Sequence, residues 1–276
     1  MKDYCDLHTH SSFSDGTSTP TELIRLAEEA GLGAVALCDH NTVAGLPEFL
    51  KAAENAEVEA VPGIEFSTEY EGEELHILGL FIGPEDCDAV NALLAEALER
   101  KEQSNLDMVR KLGGAGISLD YARIKAESDG TINRAVIASY MVREGYCPSV
   151  QDAFRDWLAP EKGYFVQPKR LDAFEAIRFI KSLGAVAVLA HPFLNLKEEE
   201  LRQFLSRAEG LDGMEVYYPL FDEAQTALAE RIAEEFGLLK SGGSDFHGQN
   251  KPDIRIGVGK GELRVPIHCL EDMKCL

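Results

Sequence analysis

The chain is poor in positive charge and lacks long apolar runs. It has 27 lysines and arginines against 48 aspartates and glutamates, which gives a formal net charge of −21 at pH 7. Phosphate backbones bind to basic surfaces, so this balance argues against long nucleic acid as a partner, although it permits a small anionic substrate. No apolar run reaches the ~20 residues of a membrane span, and the chain does not open with a basic segment followed by an apolar one. We therefore expect a cytoplasmic protein that binds no membrane.

Paired cysteines are also missing. The six cysteines are spread along the chain without a CxxC pair or a regular spacing. Cys5 and Cys38 lie inside apolar, strand-like runs, and buried, reduced thiols are typical of cytosolic proteins. The sequence therefore argues against a structural metal site built from cysteine.

The histidines, by contrast, follow a pattern. His8 and His10 come directly after an apolar stretch, and residues i and i+2 of a strand point to the same side, so both imidazoles can bind one ion. Four more histidines stand where apolar runs end, namely His40, His76, His191 and His247. Only His268 lies outside this pattern, and we expect it to be a surface or structural residue.

Strand and helix signals alternate over the first 82 residues and again from residue 185 onwards. Between these parts, residues 85–183 show helical periods and almost no strand signal. Repeated βα units predict a barrel of parallel strands, in which the chemistry lies at the carboxyl ends of the strands. We therefore predict an α/β barrel domain formed by residues 1–84 and 184–276. The helical insertion at 85–183 is expected to act as a lid on that face.

Three acids near strand ends join the histidines as candidate metal ligands. The full set is His8, His10, Asp15, His40, Glu65, His76, His191, Asp245 and His247. Taken singly, several have ordinary structural explanations, and Asp15 before a glycine is typical of a turn. Taken together, imidazoles and carboxylates suit Zn, Mn or Fe(II). Nine ligands exceed the needs of one ion, so we predict two or three divalent ions, with Glu65 as a bridging carboxylate.

Six segments hold all nine of these residues in a recognisable order. They are DLHTHSSFSDG at 6–16, ALCDHN at 36–41, PGIEF at 62–66, ELHIL at 74–78, AVLAHP at 187–192 and GSDFHG at 243–248. In this order they resemble the polymerase and histidinol phosphatase (PHP) family of metal-dependent phosphoesterases. The resemblance implies a distorted (β/α)7 TIM-like barrel with an inserted all-helical lid subdomain, and up to three divalent ions at the strand ends.

The resemblance also implies how the ligands are shared. One ion would take His8, His10, Glu65 and Asp245, a second would share Glu65 and add His76 and His191, and a third would take Asp15, His40 and His247. Catalysis would depend on Asp245, His191 and Glu65.

The helical segment resembles the lid of family members that act on small phosphorylated molecules, including nucleotides. There a run like Gly-Arg-Pro-His precedes a helix, whereas residues 132–136 here read INRAV. Arg134 matches the arginine, and alanine and valine replace the proline and histidine. We predict that Arg134, Lys169 and Arg170 bind the substrate, because guanidinium and ammonium groups bind phosphate.

The resemblance implies that the protein is a hydrolase of phosphoric esters. The expected substrate is a small phosphomonoester, a mononucleotide or a nucleoside 3′,5′-bisphosphate, and inorganic phosphate is the product. The expected step is in-line attack on phosphorus by a hydroxide that bridges two ions. Three alternatives stay open, which are a 5′–3′ exonuclease for short oligonucleotides, a histidinol-phosphate-type phosphatase and a non-catalytic metal-binding module. The sequence does not indicate an oligomeric state.

Overall fold

A computed structural model describes residues 2–127, 132, 134–165 and 170–276 of the chain. It divides into two compact units. The barrel unit consists of residues up to 94 and of residues 171–276, and the helical unit consists of residues 95–170. These limits differ from the predicted ones at 84/85 and 183/184. The reason is packing, because Val90 and Ile177, which lie outside the predicted barrel segments, are buried in the core of the barrel unit.

Nine strands form one sheet in the barrel unit. They are β1 (Tyr4–Thr9), β2 (Ala34–Leu37), β3 (Glu59–Tyr70), β4 (Glu73–Leu80), β5 (Leu171–Asp172), β6 (Val186–Leu189), β7 (Gly213–Tyr217), β8 (Leu239–Gly242) and β9 (Val265–Pro266). The order is β8-β7-β6-β4-β3-β2-β1-β9, and β5 pairs with β3. Beyond β8 the chain returns to β1, where the Asp245 amide donates to the His8 carbonyl at 2.8 Å. The sheet is therefore a nearly closed barrel.

Two strands depart from the predicted parallel arrangement, and one of them is the short β9, which pairs antiparallel with β1. β4 runs antiparallel to both of its neighbours, β3 and β6. Only Glu71 and Gly72 connect β3 to β4, and both have positive φ, 52° and 92°. This is the backbone of a tight hairpin, which joins antiparallel strands, whereas a parallel pair needs a crossover of a dozen or more residues. The prediction of parallel strands was therefore wrong at β4 and at β9.

Helices connect most of the other strands of the barrel unit. They are α1 (Pro20–Glu29), α2 (Leu46–Ala53), α7 (Ala173–Ser182), α8 (Glu198–Leu205) and α9 (Glu223–Phe236), and a further helix, α10 (His268–Met273), follows the last strand. Thr19 starts α1 with a complete capping box, in which its side chain accepts from the Glu22 amide and the Glu22 carboxylate accepts from the Thr19 amide. The buried faces of α1, α2, α7, α8 and α9 pack on the sheet in one core, which includes Phe49, Ile180, Phe204 and Ile232. The buried face of α10 belongs to a second apolar cluster of the barrel unit, formed with residues of the strands.

The helical unit has its own apolar core. Its helices are the later part of α3 (Cys87–Gly114), α4 (Tyr121–Glu127), α5 (Arg134–Arg143) and α6 (Val150–Ala153), followed by a π-helical turn at Phe154–Leu158. Met108, Leu112, Ile137, Met141 and Leu158 are all buried there. Within the described ranges, no helix is long and apolar enough to cross a membrane.

Candidate metal centre

All nine predicted ligands lie together at one end of the barrel unit. They form four overlapping groups, and in each group one ligand atom per residue lies within 4.8 Å of the others. The groups are His10, Asp15, His40 and His247; His8, Glu65 and His191; His8, His10 and Asp245; and His40, Glu65 and His76. His268, which was predicted to lie outside the site, is an exposed residue at the start of α10. The role of each grouped residue as a ligand stays a prediction.

The end of β1 positions the first two histidines. Alternation along the strand turns His8 and His10 to the same side, and Thr9 to the other side, where its hydroxyl donates to the Ala36 carbonyl at 2.6 Å. Both imidazoles are completely buried. Their Nε2 atoms are 3.0 Å apart. Ligand atoms about 2.1 Å from a shared ion lie roughly 3.0–3.4 Å from each other, so this spacing suits two ligands of one ion.

Glu65 lies at the middle of the cluster. Its Oε1 atom is 2.8 Å from His76 Nδ1 and 3.0 Å from His191 Nε2. Its Oε2 atom is 3.0 Å from His40 Nδ1 and 3.3 Å from His10 Nε2. Burial by itself raises the pKa of this carboxyl, but the surrounding imidazoles outweigh burial and hold the pKa well below its usual range. A carboxylate with imidazoles on both oxygens has the placement that a bridging ligand requires.

Several polar atoms of the cluster have no hydrogen-bond partner among the described residues. Glu65 Oε2, His10 Nδ1 and His40 Nδ1 are buried and make no hydrogen bond of good geometry, although Glu65 Oε2 and His40 Nδ1 lie 3.0 Å apart. Leaving such an atom unpaired costs about 1–3 kcal/mol, and more for a charged group. Burial also lowers the pKa of His10 to about 3, which keeps its ring in the neutral form that binds metal ions. The residues therefore fit divalent cations.

Two of the candidate ligands have unusual backbone conformations. His191 follows β6 with φ of 27°, and Asp245 follows β8 with φ of 52°. Non-glycine residues rarely adopt positive φ, and such positions are common where a side chain must be aimed at a functional site. In both cases the turn directs the side chain back over the strand end into the cluster.

The two oxygens of Asp245 face different surroundings. Oδ1 is 3.2 Å from His10 Nε2 and 3.4 Å from His247 Nδ1. Oδ2 accepts from the Tyr218 hydroxyl at 2.7 Å and from Lys251 Nζ at 2.6 Å. Tyr218 and Lys251 were not predicted as site residues, because they have no recognisable motif of their own. These two contacts fix the carboxylate so that Oδ1 is aimed at the histidines.

A further carboxylate, which was not predicted from the sequence, contacts two of the histidines. Glu215 in β7 is completely buried. Its Oε1 atom is 2.9 Å from His8 Nδ1, and its Oε2 atom accepts from the His191 amide at 2.6 Å. Burial disfavours the charged form of His8, but Glu215 and Glu65 outweigh burial and raise its pKa well above the ordinary value. The sequence feature that could have identified Glu215 is its position as a lone acid inside an otherwise apolar strand.

Asp15 approaches the cluster from the surface. Its Oδ1 atom is 3.2 Å from His247 Nε2, and its side chain is 55% exposed. The preceding loop is tied down by Asp39, which accepts from the Ser11 amide at 2.7 Å and the Ser14 hydroxyl at 2.6 Å. Asp15 is therefore both a residue of this loop and a neighbour of the imidazoles.

The three residues predicted to bind substrate belong to the helical unit. Arg134 stacks on the Phe165 ring, with 4.2 Å from its Cζ to the ring centroid, and lies 5.8 Å from the Phe154 centroid. Arg170 is exposed, and together with burial it lowers the pKa of Lys101. Lys169 lies outside the described residues. Their role in substrate binding stays a prediction.

The family described as PHP domain matches residues 6–165, more than half of the chain. The chain is a member of the PHP family. This confirms the resemblance found in the sequence motifs, and the nearly closed α/β barrel is the fold expected for it.

Named relatives cover almost the whole chain. A 5′-3′ exoribonuclease of Haemophilus influenzae is 37% identical over 245 residues, which are 88% of this chain and 89% of that protein. A 3′,5′-nucleoside bisphosphate phosphatase of Chromobacterium violaceum is 32% identical over 266 residues, 91% of this chain and 90% of that protein. The crystal structure of a Bifidobacterium adolescentis protein, described as a candidate metal-dependent phosphoesterase, matches with a TM-score of 0.68 and 29% identity over 98% of this chain and 95% of that one.

These relatives agree on the type of chemistry. Both named enzymes are hydrolases of phosphoester bonds, which is the enzyme class predicted from the sequence. The clusters of histidine, aspartate and glutamate in this PHP protein indicate divalent metal binding. The identity and the number of the ions stay predictions.

Proposed function

We propose that this PHP protein is a metal-dependent phosphoesterase that cleaves the ester on the 3′ side of a 5′-phosphorylated nucleoside. A nucleoside 3′,5′-bisphosphate and the first linkage of a short 5′-phosphorylated RNA both present this bond. One relative is named as a 3′,5′-nucleoside bisphosphate phosphatase and the other as a 5′-3′ exoribonuclease. Cleavage of this bond would account for both activities. The net charge of −21 favours short substrates over long nucleic acid.

The observation that carries the proposal is the cluster centred on Glu65. Its four overlapping groups offer places for two or three ions of Mn, Fe or Zn. When bound, such ions lower the pKa of a coordinated water towards ~7 and offset the negative charge of the phosphoryl group. The protein itself contributes orientation, because Glu215 holds His8 through Nδ1 and Tyr218 holds Asp245 through Oδ2. Both contacts are made before a substrate arrives.

The first test compares two substrates in the presence of Mn, Fe(II) or Zn. Wild-type protein should release phosphate from adenosine 3′,5′-bisphosphate and shorten a 5′-phosphorylated trinucleotide from its 5′ end. Asp245→Asn keeps a residue type that tolerates positive φ, but its amide is a weaker metal ligand. We expect it to lower both activities by at least about 100-fold, together with metal content measured by mass spectrometry.

His268→Ala serves as the matched control, because this exposed histidine lies outside the metal groups. It should keep wild-type metal content and activity, whereas His247→Ala should lose both in part. A wild-type protein inactive on both substrates with all three metals would refute the proposal, as would a fully active Asp245→Asn. Anomalous scattering from crystals would count and identify the ions.

A further inference from the structure

Asp245 lines a cavity of ≈ 220 Å³ in the barrel unit, together with Tyr218 and Lys251, the two residues that its Oδ2 atom contacts. The cavity is lined by Tyr218, Pro219, Asp245, Lys251 and Lys260, among others. It therefore adjoins the candidate metal centre through one carboxylate, whose other oxygen is aimed at His10. We propose that this cavity is a subsite for a second, non-scissile phosphate group of the substrate, with Lys260 as its principal cation. The inference rests on the proposed function.

Two lysines and two aspartates line the cavity, and one of the lysines is available for an anionic ligand. Lys251 is already paired with Asp245 at 2.6 Å. Lys260, by contrast, makes no ion pair with any residue that the structure describes, although this chain has a large excess of acids. Asp253 is the remaining acidic residue of the lining. An unpaired ammonium group beside a metal centre gives an incoming phosphate a favourable electrostatic partner.

The segment that carries Lys260 is held in place by the main chain. Gly259 and Arg255 exchange backbone hydrogen bonds of 2.8 Å. Gly259 has φ of 54°, and a Cβ atom there would lie 2.7 Å from Pro219 Cβ, so only glycine allows this close approach. The amide of Gly257 donates to the buried Asp6 carboxylate at 2.7 Å. Lys260 therefore extends from a braced loop next to the cavity wall.

The volume of the cavity indicates which part of the substrate it can hold. Pockets for whole drug-sized ligands measure roughly 300–1,000 Å³. A space of ≈ 220 Å³ is smaller, and it suits a phosphate group better than a complete nucleotide. In the proposed function the ester on the 3′ side of the nucleoside is cleaved at the metal centre. The phosphate that this subsite would bind is therefore the 5′-phosphate.

The test compares adenosine 3′,5′-bisphosphate with adenosine 3′-monophosphate in steady-state kinetics. Lys260→Met should raise KM about tenfold for the bisphosphate and leave the monophosphate unchanged, because only the bisphosphate carries the second group. Lys51→Met is the matched control, since Lys51 is an exposed lysine of α2 away from this cavity. An equal effect of Lys260→Met on both nucleotides, or no effect on either, would overturn the subsite.

Calorimetry separates this inference from the proposed function. If wild-type protein hydrolyses neither nucleotide, the proposed function fails, and binding of the same two nucleotides decides about the cavity. The wild type should then bind the bisphosphate about tenfold more tightly than the monophosphate, and Lys260→Met should remove this preference. A preference that survives in Lys260→Met, or no binding by the wild type, would refute the subsite.

Discussion

Glu215 determines how the His8 ring is turned, although the two residues lie on strands that are distant in sequence. Its carboxylate meets Nδ1 of His8, which leaves Nε2 of that ring aimed at His10. Carboxylates behind metal-binding imidazoles fix the tautomer and the orientation of the ring, and their loss typically weakens metal binding 10–100-fold. Glu215 therefore contributes to the candidate centre through the orientation of His8, without being a predicted ligand itself.

Glu215→Gln should lower the affinity for Mn by about 10–100-fold while the barrel stays folded. The amide keeps the size of the side chain, but it no longer offers two anionic oxygens to His8 and the His191 amide. Metal titrations followed by calorimetry measure the effect, and circular dichroism checks the fold. Glu209→Gln, a change of an exposed glutamate, should match the wild type. Unchanged affinity in Glu215→Gln would contradict the assigned role.

Residues that bind metal are easier to predict from sequence than the residues that hold them. His8 and His10 are two residues apart at the end of a strand. This local spacing is enough to predict that they bind one ion. Glu215 pairs with a histidine 207 positions away, so its role depends on the barrel bringing β1 and β7 to one end. Tyr218 is likewise separated from Asp245, by 27 positions. Lys251 is only 6 positions from Asp245, but it has no recognisable motif of its own.

The residues that follow β8 must pass very close to β1 for the site to form. Gly243 passes so close to β1 that a Cβ atom there would lie 2.3 Å from His8 Cβ and 2.5 Å from the His8 amide nitrogen. The backbone of the next residues pairs with β1, which brings Asp245 opposite the histidines. A side chain at this position would push the two strand ends apart.

Gly243→Ala should therefore destabilise the protein by about 3 kcal/mol or more, at or above the upper end of typical overpacking. It should also reduce metal content, because Asp245 would move away from His10. Urea unfolding and metal analysis measure the two effects. Gly113→Ala in α3, where a new Cβ atom meets nothing within 4 Å, should leave stability unchanged or slightly increased. Equal stability of both variants would show that the close approach is unimportant.

Element types were predictable where periodicity is strong, and strand direction was not. The apolar run before His40 and the capping box at Thr19 identify β2 and α1 by local chemistry alone. The direction of β4 depends on the two-residue connection Glu71-Gly72, because its apolar pattern is the same in either direction. The division inside α3 was also hidden, since one continuous helical period runs through residues 94 and 95.

Across the whole molecule, folding gathers acids and imidazoles that the unfolded chain keeps apart. Metal ions should therefore bind the folded state far better than the unfolded one and stabilise it by mass action. With free Mn at about 100 times its dissociation constant, one site contributes about 2.7 kcal/mol. For a chain of this length that corresponds to a rise in Tm of at least about 5 °C.

Differential scanning calorimetry with Mn, and after removal of metal by a chelator, measures this shift. His268→Ala should show the full rise, and Asp245→Asn a smaller one, since only the second residue belongs to a metal group. A Tm that is the same with Mn and with chelator would indicate that the cluster does not bind this ion.

The sharing of ligands among the four groups has a consequence for how the centre fills. His8, His10, His40 and Glu65 each belong to two groups, so the first ion to enter withdraws charge and donor atoms from its neighbour's site. Successive ions then bind with unequal affinities, as successive protons do on coupled carboxylates. Activity plotted against metal concentration should rise in separate steps, and a partly loaded preparation is a mixture of species rather than a uniformly weaker enzyme.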